Sequence, residues 1–316
     1  MRLVKMAEER GFDSAWVCET RLARDAISVL GAFAAVTTRI KLGTGIINSW
    51  TRTATLTAMT IATLDELAPG RVMLGLGAYW DPLAWKQGVE RRKPLTQMRE
   101  YVEVVRRLLR LERFTLEGEL VKVRDVQLDL GHGAERTPKP VPIYIGATGE
   151  KMLELAGEVA DGALLNGITS VDYTRRAVEH VAIGARHAGR DPATVDLPQL
   201  VNVSMDADAG RAYDTARRLI TMYLGQQAHI ARASGLDEER LLQINEALGG
   251  WPPSEGGVER AMRLVDDSVV ERLFAVGTPE QCKRGVQRYL DAGASYVVLV
   301  PTSDNYEEIV EVFAPS

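Results

Sequence analysis

Residues 140–166 read PVPIYIGATGEKMLELAGEVADGALLN and hold one complete structural unit. Val141 to Ile145 is a short apolar strand, Gly146-Ala147-Thr148-Gly149 is a loop, a helix follows, and Gly162 to Leu165 is a second strand. Both strands are continuously apolar rather than alternating, the pattern of a parallel sheet covered on both faces. Strand, helix and parallel strand make up the repeating unit of α/β folds.

The same rhythm runs in both directions from this unit. Apolar strands are predicted at Ser14 to Cys18, Ile40 to Ile47 and Val72 to Leu76 before it, and at Leu200 to Met205 and Tyr296 to Val300 after it. Helical faces separate them: Leu3, Met6 and Ala7 share one, and Tyr101, Val104, Val105 and Leu108 share another. Thr278-Pro279-Glu280-Gln281 is a capping box with proline at the first helical position, and the helix it opens carries Cys282, Val286 and Leu290 on one stripe. This alternation predicts α/β architecture, either a (β/α)₈ barrel or an open doubly wound sheet. Seven strands are visible and the chain opens on a helix, so the first strand of a barrel is expected to be missing, or to lie upstream of Met1.

Two stretches break the rhythm. Residues 113–137 alternate and contain Glu-Gly, which predicts a β excursion on the surface. Residues 225–275 read as helical, broken by Gly-Gly-Trp-Pro-Pro at 249–253, and predict an insertion before the last strand that serves as a lid or substrate wall. Residues 1–316 are otherwise expected to form a single barrel domain.

Composition narrows the function classes. Net charge is −5 with no long basic run, which argues against a nucleic-acid surface. No run approaches the ~20 apolar residues of a membrane span, and the N-terminal MRLVKMAEERGF lacks the apolar core of a signal peptide. Two distant cysteines, Cys18 and Cys282, suit a reducing compartment, so a cytoplasmic location is expected. The four histidines are scattered without metal-ligand spacing.

Polar groups gather where predicted strands end, and barrel active sites lie at that face. In Lys41 to Arg52, KLGTGIINSWTR, a strand ends in glycines beside Asn48, Ser49, Thr51 and Arg52; Thr51 would serve equally as a helix cap. The Gly146 to Gly149 loop at a helix N-terminus is a candidate anion cradle to which Thr148 adds a hydroxyl, and it would serve equally as a structural turn. Leu74 to Asp81, LGLGAYWD, sets Tyr79 and Trp80 beside flexible backbone, where they would face a planar ring or simply roof the barrel. Glu19, ending the first visible strand, is a candidate proton donor or acceptor, or a surface ion-pair partner.

Taken together, RGFDSAWVCE, IKLGTGIINSWTR, TLDELAPGRVMLGLGA, PVPIYIGATGEKMLELAGEVADGALLN and VGTPEQCKRGVQRYLDAGASYVVLVP resemble the luciferase-like flavin- and deazaflavin-dependent oxidoreductases. Within that superfamily they look closest to the methylenetetrahydromethanopterin reductase branch. The resemblance implies a (β/α)₈ barrel of the luciferase-like type whose mouth holds coenzyme F-420 or, alternatively, FMN. It places a strand bulge with a non-prolyl cis peptide at Gly45–Ile46, flanked by Thr44 and Asn48. It makes Gly146, Ala147, Thr148 and Gly149 a phosphate-binding loop, and it sets Gly75, Gly77 and Asn166 around the cofactor. Glu19 aligns with an acidic residue of the reductase branch, whereas Thr20 stands where many members carry histidine.

Hydride transfer between F-420 and a small organic substrate is the activity the resemblance implies. An FMN-dependent monooxygenase and a non-catalytic flavin-binding barrel are the alternatives. The partners implied are a small-molecule substrate and a second copy of the chain, in a homodimer or higher homo-oligomer.

Overall fold

The computed structural model describes residues 1–19, 22–81, 83–131 and 136–315. Helix α1 (Arg2–Glu9) leads into strand β1 (Ser14–Val17), and α2 (Ala26–Ala34) leads into β2 (Lys41–Thr44) and the short β3 (Ile47–Asn48). Next come α3 (Ala54–Leu67), β4 (Val72–Gly77), α4 (Leu83–Lys86), α5 (Pro94–Leu109) and the strands β5 (Phe114–Glu117) and β6 (Lys122–Val126). The central unit is β7 (Ile143–Ala147), α6 (Glu150–Val159) and β8 (Gly162–Leu165), followed by α7 (Val171–His187) and β9 (Pro198–Met205). A helical run follows: α8 (Ala209–Gln226), α9 (Ala228–Ala233), α10 (Glu238–Leu248), α11 (Gly257–Met262) and α12 (Asp267–Leu273). The chain finishes with β10 (Ala275–Gly277), α13 (Pro279–Asp291), β11 (Tyr296–Pro301) and α14 (Tyr306–Phe313).

The strands pair in parallel in the order β1-β2-β4-β7-β8-β9, with β10 and β11 both against β9 and β3 against β4. Every residue of β4 and β8 is buried, as a doubly covered parallel sheet requires. The ring is a nearly closed parallel barrel. Among the described residues no ladder joins β1 to β11. The outer layer continues across that seam, where Arg2 pairs with Glu307 and Arg10 makes a bidentate bond to Glu311 (2.8 and 2.7 Å), tying α1 to α14.

Element boundaries shift where backbone chemistry demands it. The strand expected from Val141 starts at Ile143, because Pro142 has no N–H; its carbonyl instead accepts from Leu74 N at 2.9 Å. The 113–137 stretch contains the antiparallel β5–β6 pair, and its residues 132–135, His132 among them, lie outside the described residues. The stretch expected to be helical through 275 gives way at Ala275 to β10, a three-residue strand too short to show as a pattern. The Thr278/Gln281 capping box forms as read, and Cys282 is fully buried on the stripe it opens.

The stretch expected as one strand, Ile40 to Ile47, is two pieces divided by a bulge. Gly43 pairs with Met73, and Ile47 with Leu76, so Thr44, Gly45 and Ile46 stand opposite only Leu74 and Gly75. One extra residue forces the strand to bow. The backbone groups of Gly75 left without a strand partner are met by Thr44: its hydroxyl donates to Gly75 O at 2.9 Å and accepts from Gly75 N at 2.7 Å. The Gly45–Ile46 bond is cis.

Bowing sends the Ile46 side chain across the barrel interior into a slot lined by glycines. A Cβ on Gly77 would stand 1.9 Å from Ile46 Cδ1, one on Gly146 2.8 Å from the same atom, and one on Gly75 2.1 Å from Thr44 O. Below the slot, Trp16 and Tyr144 meet edge to face at 5.3 Å and pack with Met73 and Leu164, filling the barrel axis. We expect Gly77→Ala to cost about 1–3 kcal/mol, the usual penalty for overpacking. In the same background Ile46→Val, which removes Cδ1, should return roughly half of that loss. Urea unfolding of the single and double variants measures it, and additive losses would refute the slot.

Candidate functional site

A cavity of about 480 Å³ opens where β1, β3, β7, β8 and β9 end, at the C-terminal face expected of a barrel site. Its size falls within the ordinary range for small-molecule sites. Of the residues singled out from sequence, Glu19, Gly45, Ile46, Asn48, Gly146, Ala147, Thr148, Gly149 and Asn166 all line this one space. Thr44, Gly75 and Gly77 do not; they sit one layer behind, holding the bulge and making room for Ile46. Thr20 lies outside the described residues.

The floor is the bulge itself. Gly45 N donates to Val17 O at 2.8 Å and Glu19 N to Ile46 O at 3.2 Å, so the bowed strand is bonded to β1 on one side and packed on glycines on the other. Just beyond it, Asn48 Oδ1 accepts from Trp50 N (3.0 Å) and Thr51 N (2.9 Å). Two backbone donors fix which end of the amide is oxygen, and among the described residues the Asn48 NH₂ group has no partner.

One rim is the Gly146 to Gly149 loop. Gly149 is the N-cap of α6, and among the described residues no side chain caps that helix and the first-turn N–H groups of Glu150 and Lys151 have no acceptor. Unmet N–H groups at the positive end of a helix dipole attract anions. Nothing lies within 4 Å of where a Cβ of Gly149 would stand, so the approach is open. Behind the loop the buried Tyr173 donates to Ala147 O at 2.9 Å, and Asn166 Nδ2 reaches Thr148 Oγ1 at 3.5 Å.

The charged groups in the wall are compensated. Glu19 accepts from Arg52 at 3.2 Å through Oε1, Oε2 has no partner among the described residues, and Arg52 also pairs with Asp25. Arg91 donates to Asp81 Oδ2 at 2.6 Å and to Ala78 O at 2.8 Å. His229 faces the cavity, and burial, helped by the nearby Arg232 and Arg91, holds its pKa below the ordinary imidazole value, which favours the neutral ring at pH 7. Burial likewise pushes the Cys18 thiol up, so it stays protonated.

Sequence reading missed part of this wall. Cys18, the last residue of the strand expected at Ser14 to Cys18, opens onto the cavity, as do Arg91, Asn202, Gln227 and His229. Asn202 carried the one usable signal, a polar residue between the apolar Val201 and Val203 of an expected strand. Its Oδ1 accepts from Ile168 N at 3.1 Å, and a Cβ on Gly167 would stand 2.5 Å from that oxygen. Tyr79 and Trp80 do line the cavity; Gln87 donates to the Tyr79 hydroxyl. No cluster of residues suited to a metal ion exists among the described residues.

Relatives carry the same framework. Over 312 residues the chain is 35% identical to a 5,10-methylenetetrahydromethanopterin reductase of Methanolobus tindarius, covering 98% of this chain and 92% of that protein. It is 31% identical over 278 residues to an F-420-dependent glucose-6-phosphate dehydrogenase of Beutenbergia cavernae, covering 82% of this chain and 80% of that one. The fold superimposes with a TM-score of 0.86 on the coenzyme F-420 dependent tetrahydromethanopterin reductase of Methanopyrus kandleri, at 30% identity and covering 99% of this chain and 92% of that one. The model of the family described as luciferase-like monooxygenase matches residues 1–296. With that match spanning the barrel from α1 to the start of β11, the chain belongs to the luciferase-like family.

Proposed function

We propose that this chain is an oxidoreductase that transfers a hydride between coenzyme F-420 and a small organic substrate. The observation that carries this reading is that one cavity joins the Gly45–Ile46 floor to the uncapped N-terminus of α6. The relatives at 35% and 31% identity, a methylenetetrahydromethanopterin reductase and an F-420-dependent dehydrogenase, support it.

The residues fit such a coenzyme. Its phosphate calls for an anion site, which the free N–H groups of α6 and the Thr148 hydroxyl would supply. Its planar ring calls for a rigid wall and donors for its carbonyl oxygens. Ile46, locked among Gly75, Gly77 and Gly146, is such a wall, and the NH₂ groups of Asn48 and Asn202 are such donors. When bound, the deazaflavin supplies two-electron hydride chemistry, and the protein supplies position, electrostatics and exclusion of water. Tyr79 and Trp80 on one side and the α8–α9 corner on the other flank the mouth. Glu19 is placed to hold or pass a proton through Oε2, with Oε1 fixed by Arg52.

Self-association completes the proposal. Leu56, Met59 and Leu67 are 40%, 54% and 60% exposed on α3, an apolar stripe on the outside of the barrel that a second copy would cover.

Three measurements bear on these claims. Titration of the purified chain should show F-420 bound more tightly than FMN; stoichiometric FMN with substrate-linked oxygen uptake would replace this reading with a monooxygenase. Glu19→Gln should lower kcat by about 10²-fold or more, the usual contribution of a positioned proton-transfer group, while F-420 affinity stays within about twofold. Unchanged turnover in that variant would remove Glu19 from the chemistry. Light scattering of Met59→Lys should show a smaller assembly than the parent chain, and an unchanged mass would place any interface elsewhere.

A further inference from the structure

Among the described residues three glutamines are buried: Gln97 at 5%, Gln199 at 0% and Gln227 at 7% exposure. The first two are fully engaged. Gln97 exchanges bonds with Ser49, accepting from its hydroxyl at 2.9 Å and donating to its carbonyl at 2.7 Å. Gln199 donates to Asn166 O at 2.7 Å and Leu200 O at 2.8 Å, and it accepts from Thr174 at 3.0 Å. Gln227 is different. Its side-chain amide has no hydrogen-bond partner among the described residues, although the residue forms part of the cavity wall.

The position is built rather than slack. Gln227 is at once the C-cap of α8 and the N-cap of α9. Its backbone N–H donates to Tyr223 O at 2.9 Å and its carbonyl accepts from Ile230 N at 2.9 Å, so the main chain is pinned on both sides. The residue as a whole is nine-tenths buried while its amide opens to the cavity, so a ligand that displaces water there meets a donor and an acceptor that no described residue occupies. The surrounding wall fixes the charge of that partner. Glu19 is paired with Arg52, Arg91 with Asp81, and no lysine lines the cavity among the described residues. A phosphate or carboxylate brought to this face would meet no uncompensated cation, whereas a neutral group with N–H beside C=O would meet a matching donor and acceptor.

We propose that Gln227 is a specificity-determining residue that selects the substrate by a two-point hydrogen bond to a neutral amide edge, such as the lactam of a heterocycle, and so disfavours sugar phosphates. The proposal rests on the reading of this cavity as an F-420 oxidoreductase site.

The test uses the full chain loaded with F-420 and titrated with tetrahydromethanopterin, which carries a lactam, and separately with glucose 6-phosphate. The signal is calorimetric heat or the fluorescence of Trp80 in the wall. The wild type should bind the pterin at least about tenfold more tightly than the sugar phosphate, since a site built for hydrogen bonds rejects ligands that cannot make them. Gln227→Leu should weaken the pterin about tenfold or more, and Gln227→Glu, which lacks the donor, should weaken it too. F-420 affinity should stay within about twofold in both, and it also reports that each variant has folded. Equal pterin affinity in the folded variants overturns the assignment, as does a wild-type preference for glucose 6-phosphate. A loss of F-420 affinity in Gln227→Leu moves the contact to the coenzyme and equally overturns it. Failure of F-420 to bind the wild type is a separate result that removes the coenzyme reading and this proposal with it.

Discussion

The site depends on one packing constraint: the Ile46 side chain occupies barrel space that any residue larger than glycine at 77 or 146 would fill. The extra residue between β2 and β3 creates the bow, and Thr44 repairs the ladder by bonding both backbone groups of Gly75. Without that repair the bulge would leave two buried backbone groups unmet, which native structures rarely tolerate. The glycines of this region are thus receptors for a neighbouring side chain. Below them the Trp16–Tyr144 contact plugs the axis, so the cavity has a solid floor rather than a pore.

The two ends of the cavity are made differently. The floor and the anion rim come from strand ends and from the first turn of α6, where position is set by ladder registers and by Tyr173 behind the loop. The mouth comes from side chains on the second half of α8, on the α8–α9 corner and on the segment after β4, which lie outside the strand ladders. Parts fixed by the barrel suit a constant coenzyme, and parts on appended helices suit a substrate that varies among relatives. The reductase and the glucose-6-phosphate dehydrogenase relatives, both above 30% identity, differ in substrate in just this sense.

The fold was legible because continuous apolar strands alternate with helices and end in glycine-rich turns. Gly162 to Leu165 emerged with the expected boundaries, and the Thr278/Gln281 box formed as read. Strand β10 was invisible because three residues, Ala-Val-Gly, carry no periodicity. The candidate site was legible where backbone chemistry marks it, at Gly45–Ile46 and Gly146 to Gly149. It was illegible where the residue type is ordinary and only the third dimension supplies meaning. Nothing local distinguishes Gln227 from the satisfied Gln199, or Cys18 on the cavity from Cys282 in the core. Gly75 and Gly77 lie behind the lining, against Thr44 and Ile46: glycines in a strand signal close approach, but the sequence does not say whether ligand or protein approaches.

Charge balance ties these observations together. Each ionisable group at the wall whose partner is visible is neutralised within the protein: Glu19 by Arg52, Arg91 by Asp81. His229 is held toward its neutral form by burial and by the arginines near it. What stays unmet among the described residues is polar but uncharged, the NH₂ groups of Asn48 and Asn202 and the amide of Gln227, together with the backbone N–H groups that open α6. In a water-excluded space an unpaired charge would be costly, whereas an unpaired amide costs less and is directional. The cavity therefore concentrates its attraction for negative charge at the α6 end and offers orientation, without net charge, everywhere else. That division matches a ligand whose anionic part is anchored at the rim while its reacting part, and the substrate beside it, is read by shape and hydrogen bonds alone.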